Sequence, residues 1–235
     1  QMLPGTIPRV LYKTGKHETM PPEIQALSQS FMQSNPGWSV QYYGDQASLQ
    51  FLKDHFSPEV TEAWIRLRPG AFKADLWRLC ILYVKGGVYS DYSQQFLVPI
   101  ESLVDVERDE LVLVGDKYHP VFFLQHFGIH NSFMAAVPGH PWLKQCIDAI
   151  VSKVHARDYG RDFLNITGPS LLGDELAKQP NLNYRMELVY TPDLYLRYLK
   201  GGKAAIRHKL PGHYKLLGTG RKGFIDAWYR RQVYR

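Results

Sequence analysis

Cysteine is scarce in this chain of 235 residues: only Cys80 and Cys146 are present, too few for a disulfide framework. Each stands in an apolar stretch of helical character, where a thiol behaves as a small buried hydrophobe. No uninterrupted apolar run approaches the ~20 residues of a membrane-spanning helix, and no basic-then-apolar leader opens the sequence, so a soluble domain is expected. The nine histidines form neither H-E-x-x-H nor a Cys/His zinc spacing, which argues against a structural or catalytic zinc site. A Gly-x-Ser-x-Gly nucleophile elbow is missing as well, leaving hydrolase chemistry without support. Low-complexity tracts, linkers and internal repeats are also lacking, and a single domain over 1–235 is expected.

What the chain does have is aromatic side chains and an uneven charge. The 15 Tyr, 11 Phe and 5 Trp suit a concave site for flat or amphipathic ligands. Residues 200–235 hold 10 of the 28 Lys and Arg and one acid, Asp226. The remaining 18 basic and 21 acidic residues give the rest of the chain a net charge of −3. A basic segment of this kind is an arm for nucleic acid or a membrane surface, a cover for a phosphorylated ligand, or a solvated surface.

Patterning predicts a strand at 7–12 running into the polar turn Lys13-Thr14-Gly15, a helix at 22–31 and a strand at 38–42, a βαβ unit. Asp45 is the expected N-cap of a helix through Phe56, and Ser57-Pro58 opens another that ends near Pro69-Gly70. Short strands are expected at 111–114 and 133–137, an amphipathic helix from Pro141 to about His155, a short helix after Gly168-Pro169 and a strand at 184–190.

The informative stretch is 72–91. From Phe72 to Val84 the pattern is apolar on nearly every side, as in a buried helix. Asp75 and Arg78, three residues apart, share a face of it, as a mutual ion pair or as groups turned to a ligand. Gly86-Gly87 ends the helix, and Val88-Tyr89-Ser90 restarts the chain as a strand with Asp91 at or just past its carboxyl end, where α/β sheets receive ligands. Two acids and an arginine around one pocket suit a sugar nucleotide: carboxylates accept hydrogen bonds from sugar hydroxyls and hold a divalent cation that bridges a diphosphate.

The run Lys73-Ala74-Asp75-Leu76-Trp77-Arg78 through Gly86-Gly87-Val88-Tyr89-Ser90-Asp91 resembles the signature of glycosyltransferases with a DXD sugar-binding region, a group that includes yeast α-mannosyltransferases and capsular-polysaccharide and viral-type enzymes. Ile7 to Thr14, Asn35-Pro36-Gly37-Trp38, His130 to Ala136 and Gly139-His140-Pro141 resemble its other segments in the expected order. The resemblance implies an α/β fold of the glycosyltransferase A type, with a Rossmann-like nucleotide-binding half (1–115), an acceptor-side half with the basic segment (116–235) and a mixed central sheet. It also implies transfer of a hexose from a UDP- or GDP-sugar to a glycan, glycolipid or glycoprotein acceptor, with retention, and a location either cytoplasmic or lumenal in a Golgi-type enzyme. Asp75, Arg78, Asp91 and Asn131 become the catalytic and sugar-contacting residues, while Tyr12, Lys13, Thr14, Lys73, Tyr89 and Ser90 line the nucleotide sugar. A divalent metal, Mn2+ or Mg2+, is expected at Asp91.

The second acid of the motif is replaced by Ser93, which removes a hard anionic ligand and predicts weak metal binding. His213 is the candidate third metal ligand, with an ordinary exposed histidine as the alternative reading. Arg221 and Lys222, inside Gly218-Thr219-Gly220-Arg221-Lys222-Gly223, are candidates to close over the diphosphate, with a plain turn as the alternative. Asp116 is an acceptor-side group or a cap, and His126 and His130 are supporting residues. Two rival functions remain: a sugar-nucleotide-binding protein with little catalysis, suggested by Ser93, and a nucleic-acid-binding module using the basic segment, which leaves Asp75, Arg78 and Asp91 unexplained.

Overall fold

The computed structural model describes residues 5–116, 128–161, 163–189, 195–197, 204–208 and 233–234. β1 (Val10–Thr14), α1 (Pro22–Ser34) and β2 (Ser39–Tyr43) form the expected βαβ unit, with β1 and β2 parallel from Val10 opposite Ser39 to Thr14 opposite Tyr43. Two helices follow, α2 (Asp45–His55) and α3 (Pro58–Arg66), then α4 (Gly70–Lys85), which delivers the chain to β3 (Gly87–Ser90) on the other side of β1. Beyond it come β4 (Gln94–Phe96), β5 (Leu111–Asp116), β6 (Gly128–Ile129), β7 (Phe133–Ala136), α5 (Pro141–His155), α6 (Pro169–Ala177), β8 (Arg185–Val189), β9 (Tyr195–Arg197) and β10 (Ala204–His208).

The main sheet runs β2-β1-β3-β7-β5-β6, with β8 also paired to β5. It is mixed: β1, β2 and β3 are parallel, while β7 lies antiparallel to both β3 and β5. A second sheet, β4-β10-β9, is antiparallel. Strand alternation divides the core in two. Tyr12, Tyr89, Leu113 and Met134 face α4, α5 and α6, whereas Leu11, Val88, Val114 and Phe133 face α1 and the segment 100–106.

α4 is apolar on nearly every side because it packs against both the sheet and α5; Leu76, Trp77, Leu79, Cys80, Ile81 and Leu82 are all fully buried. Burial pushes the thiols of Cys80 and of Cys146 on α5 well above their usual range, as expected for inert core cysteines. Gly86 caps α4 at φ 64° and Gly87 follows at φ 98°. A Cβ on Gly86 would stand 2.6 Å from Pro138 Cδ, and one on Gly87 2.9 Å from the Val10 carbonyl oxygen. Only glycine permits this close reversal from helix to central strand.

One capping expectation is corrected. Asp45 is the first residue of α2, Gly44 holds the N-cap position, and no side-chain cap comes from it. The free N–H groups of Gln46 and Ala47 donate instead to the Glu18 carboxylate at 2.6 and 3.3 Å, because the loop after β1 folds over this helix end. Among the described residues no helix is long and apolar enough to cross a membrane.

Candidate active site

The carboxyl ends of β1, β2 and β3 converge on one edge of the parallel part of the sheet, and α4 runs beside it. Asp75 and Arg78 occupy one face of α4 and point at the end of β3. Their side chains are buried, and Arg78 Nη2 lies 3.0 Å from Asp75 Oδ1. The ion-pair reading of their spacing therefore holds, but the pair is part of a larger cluster. Arg78 Nη1 also reaches Asp91 Oδ1 at 3.5 Å and donates to the Asn131 carbonyl. Its guanidinium lies 4.5 Å from the centre of the Tyr89 ring, a cation–π contact.

Asp75 also has two hydrogen-bond donors besides Arg78. Oδ1 accepts from Asn131 Nδ2 at 2.8 Å and Oδ2 from Thr167 Oγ1 at 2.7 Å. Burial pushes its carboxyl up to about 6, against Arg78 and the hydrogen bonds of Thr167 and Asn131, which favour the ionised form. Asp91 is the member of the cluster that opens to solvent, with a side chain 21% exposed. Its Oδ1 accepts from Tyr89 OH at 3.1 Å and faces Arg78; Oδ2 is taken by neither. Burial pushes the Tyr89 hydroxyl well above its usual value, so it remains a donor.

The other expected residues are arranged around this cluster. Ser90 is fully buried and donates to Gln94 Oε1 at 2.9 Å. Lys13 is 1% exposed and turns beneath the end of β3, where burial pulls its ammonium down to about 7 against the influence of Asp91. Thr14 is buried and ties β1 to β2 through the Tyr43 carbonyl at 2.9 Å. Tyr12 is in the core beside Tyr43, its hydroxyl pushed up to about 12 by burial. Lys73 places its ammonium 3.9 Å from the centre of the Trp64 ring. Ser93 is 3% exposed, so of the two motif positions Asp91 alone turns outward.

His130 is half-buried, with Nδ1 2.8 Å from Ser132 Oγ. Asp116 closes β5. His126, His213, Arg221 and Lys222 lie outside the described residues. Among the described residues no three His, Cys, Asp or Glu side chains gather to hold a metal ion. A cation could still be held here: magnesium and manganese take oxygen ligands, and one protein carboxylate suffices when phosphate oxygens and water supply the rest. Asp91 fits that part, with a side chain 21% exposed.

Sequence reasoning missed Thr167, Gln94 and Ser132. Gln94 Nε2 donates to Ser132 Oγ at 2.9 Å, and the Asp91 N–H donates to both Gln94 Oε1 at 3.1 Å and the Ser132 carbonyl at 2.9 Å. Thr167 precedes Gly168-Pro169, a turn signal that marks the start of α6 but says nothing of what its neighbour touches.

Comparison with known proteins bears on this cluster. Residues 21–109 match the family described as "Glycosyltransferase sugar-binding region containing DXD motif". The chain is 24% identical over 203 residues to an uncharacterized glycosyltransferase of Acanthamoeba polyphaga mimivirus, covering 83% of this chain and 73% of that protein. It is 21% identical over 219 residues to the initiation-specific alpha-1,6-mannosyltransferase of Candida albicans, covering 80% of this chain and 56% of the relative. To the inositol phosphoceramide mannosyltransferase 1 of Schizosaccharomyces pombe it is 27% identical over 181 residues, covering 73% and 52%. The chain thus spans about half the length of these two yeast relatives. Among solved structures the PaToxG glycosyltransferase superposes with a TM-score of 0.52 at 15% identity, over 75% of this chain and 71% of that one, a likeness of fold. The mixed sheet and its flanking helices are those of an A-type glycosyltransferase. Residues 21–109 are thus similar to glycosyltransferase sugar-binding regions with a DXD motif.

Proposed function

We propose that this chain transfers a hexose from a UDP- or GDP-sugar to a hydroxyl of a glycan, lipid or protein acceptor, with retention at the anomeric carbon. The observation that carries the proposal is the cluster of Asp75, Arg78, Asp91 and Asn131, buried at its base and open at Asp91. A carboxylate offers about four lone-pair sites. Arg78, Asn131 and Thr167 occupy three on Asp75, which leaves room for one sugar hydroxyl on an acid already fixed in place. Arg78 holds Asp75 and Asp91 in register, so neither acid needs to reorganise when the donor arrives.

As the bond from the anomeric carbon to the diphosphate breaks, the sugar becomes oxocarbenium-like and the leaving group gains negative charge. The acids of the cluster face the first; cations must answer the second. A divalent metal bound with the donor would be held by Asp91 and would neutralise diphosphate charge. Arg221 and Lys222 are the residues of this chain proposed to share that task, and His213 to assist at the metal. Retention rests on the resemblance to retaining relatives, with the acceptor proton passing to the departing phosphate.

A thermal-shift screen of UDP- and GDP-sugars, with and without manganese, followed by a transfer assay on wild type and Asp91→Asn, tests the proposal. A donor at 100 times its dissociation constant stabilises the folded state by about 2.7 kcal/mol. Asp91→Asn keeps its far-UV spectrum and loses transfer. No shift with any nucleotide sugar, or near-wild-type turnover in the folded variant, overturns the assignment. Binding without turnover in wild type assigns the chain to the sugar-nucleotide-binding reading that Ser93 suggests.

A further inference from the structure

Lys13 is a charged residue in the middle strand of a parallel trio, and it is 1% exposed. Alternation along β1 puts it on the face of Leu11, opposite the face of Tyr12. Lys13 therefore approaches the end of β3 from the α1 side, whereas Arg78 approaches it from the α4 side. Its ammonium lies 3.3 Å from Ser90 Oγ, 3.0 Å from the Asp91 carbonyl and 3.4 Å from the Gln94 carbonyl. Three donors meet three oxygens, the full capacity of an ammonium group.

The oxygens belong to one turn. Gln94 N–H closes it on the Asp91 carbonyl at 3.0 Å, and Gln94 Oε1 accepts from Ser90 Oγ at 2.9 Å and from Asp91 N–H at 3.1 Å. Asp91 is thus gripped twice: its side chain by Tyr89 and Arg78 above the sheet, its main chain by Lys13 below. Burying a cation this deeply is costly, and its partners repay that cost only where their geometry satisfies every donor. Core stability alone gives no reason for a lysine here; the geometry of the turn does.

We infer that Lys13 is a positioning residue of the donor site, whose buried ammonium gathers the Ser90 hydroxyl and the Asp91 and Gln94 carbonyls so that the Asp91 carboxylate is presented to a nucleotide sugar. The inference rests on the function proposed above. It assigns Lys13 no contact with base or ribose, in contrast to the expectation from sequence.

Lys13→Met retains the length of the side chain and removes all three donors, while Lys13→Gln retains an amide that reaches the carbonyls. The measurements are backbone amide hydrogen exchange at residues 91–94, melting temperature without ligand, and affinity for UDP- and GDP-sugars with manganese by calorimetry. In Lys13→Met, exchange at the turn accelerates and donor affinity falls, each by about tenfold or more, the equivalent of one charge-assisted hydrogen bond. Lys13→Gln recovers part of both losses. Unchanged exchange and affinity in Lys13→Met, or losses that merely follow a general fall in melting temperature, overturn the inference. Should Lys13→Met fail to fold, Lys13→Gln carries the same measurements, with a smaller loss expected and no change overturning. If wild type binds no nucleotide sugar, the proposed function fails, and exchange at the turn still decides whether Lys13 holds it.

Discussion

Thr167→Val isolates one bond of the cluster. The substitution keeps the shape of the side chain and deletes the hydroxyl that donates to Asp75 Oδ2 at 2.7 Å. Thr167 is 1% and Asp75 8% exposed, so water does not replace the lost donor. A hydrogen bond to a charged group contributes about 1.5–3 kcal/mol. A loss of about 2 kcal/mol corresponds to about 4–8 °C in melting temperature for a chain of 150–250 residues.

The penalty also has a pH signature. Burial already pushes the Asp75 carboxyl up to about 6, from an ordinary value of 3.8. Thr167 favours the ionised form, so its removal pushes the carboxyl higher, by about one pH unit for each 1.36 kcal/mol. A raised carboxyl binds its proton in the folded state before the unfolded state does, so the folded state gains relative stability as pH falls from about 6 towards 3.8. The Thr167→Val penalty is therefore full where both proteins carry an ionised Asp75, above roughly pH 8, and fades as pH falls from the variant's raised value to the wild-type value of about 6, below which it is smallest. Urea denaturation of both proteins at alkaline pH and at pH about 5 reads this directly. The acid limb of kcat/KM moves upward in parallel. Equal penalties at the two pH values, or a variant as stable as wild type, refute the claim that Thr167 acts through an ionised Asp75.

Ser93→Asp restores the second motif acid at a position 3% exposed; melting without metal falls by the equivalent of about 2 kcal/mol, and millimolar manganese recovers most of it. A loss that manganese does not recover removes Ser93 from the metal's surroundings. Replacing Arg221 and Lys222 together by alanine weakens UDP or GDP binding in calorimetry, more so without metal. Ordinary surface charges would change it by only ~0.5 kcal/mol with no coupling to metal. Wild-type nucleotide binding combined with lost affinity for DNA or RNA gives the basic segment to the nucleic-acid reading instead.

Helices were legible where local chemistry decides them. Pro141 and His155 bound α5 as the amphipathic pattern expects, and Gly86 ends α4 where its left-handed conformation is needed. The βαβ unit from β1 to β2 was legible for the same reason. The sheet β4-β10-β9 was not, since β4 has three residues and its partner β10 comes from the far end of the described chain. Such strands owe their existence to pairing and not to a pattern of their own. The cap of α2 failed to appear for a similar reason: Glu18 reaches it across a loop, and only the local Asp45 carries a capping signature.

Legibility of the cluster follows the same division. Asp75 and Arg78 share a helix face and Asp91 follows a strand end, so spacing alone brings them near one another. Asn131 and Thr167 arrive from β7's approach and from the turn before α6, and no periodicity links them to α4. Lys13 shows the limit of reading a strand by type: a lysine at the end of β1 suggests a group offered to a ligand, yet the face that Leu11 shares with it is covered by α1 and the segment 100–106. With that face closed, the ammonium finds its oxygens in the Asp91 turn. The register of β1 against β3, Tyr12 opposite Tyr89, brings Lys13 level with Ser90, and a one-residue slip would carry the lysine to the α4 face beside Arg78. Pairing register therefore decides whether this cation supports the site or repels its arginine.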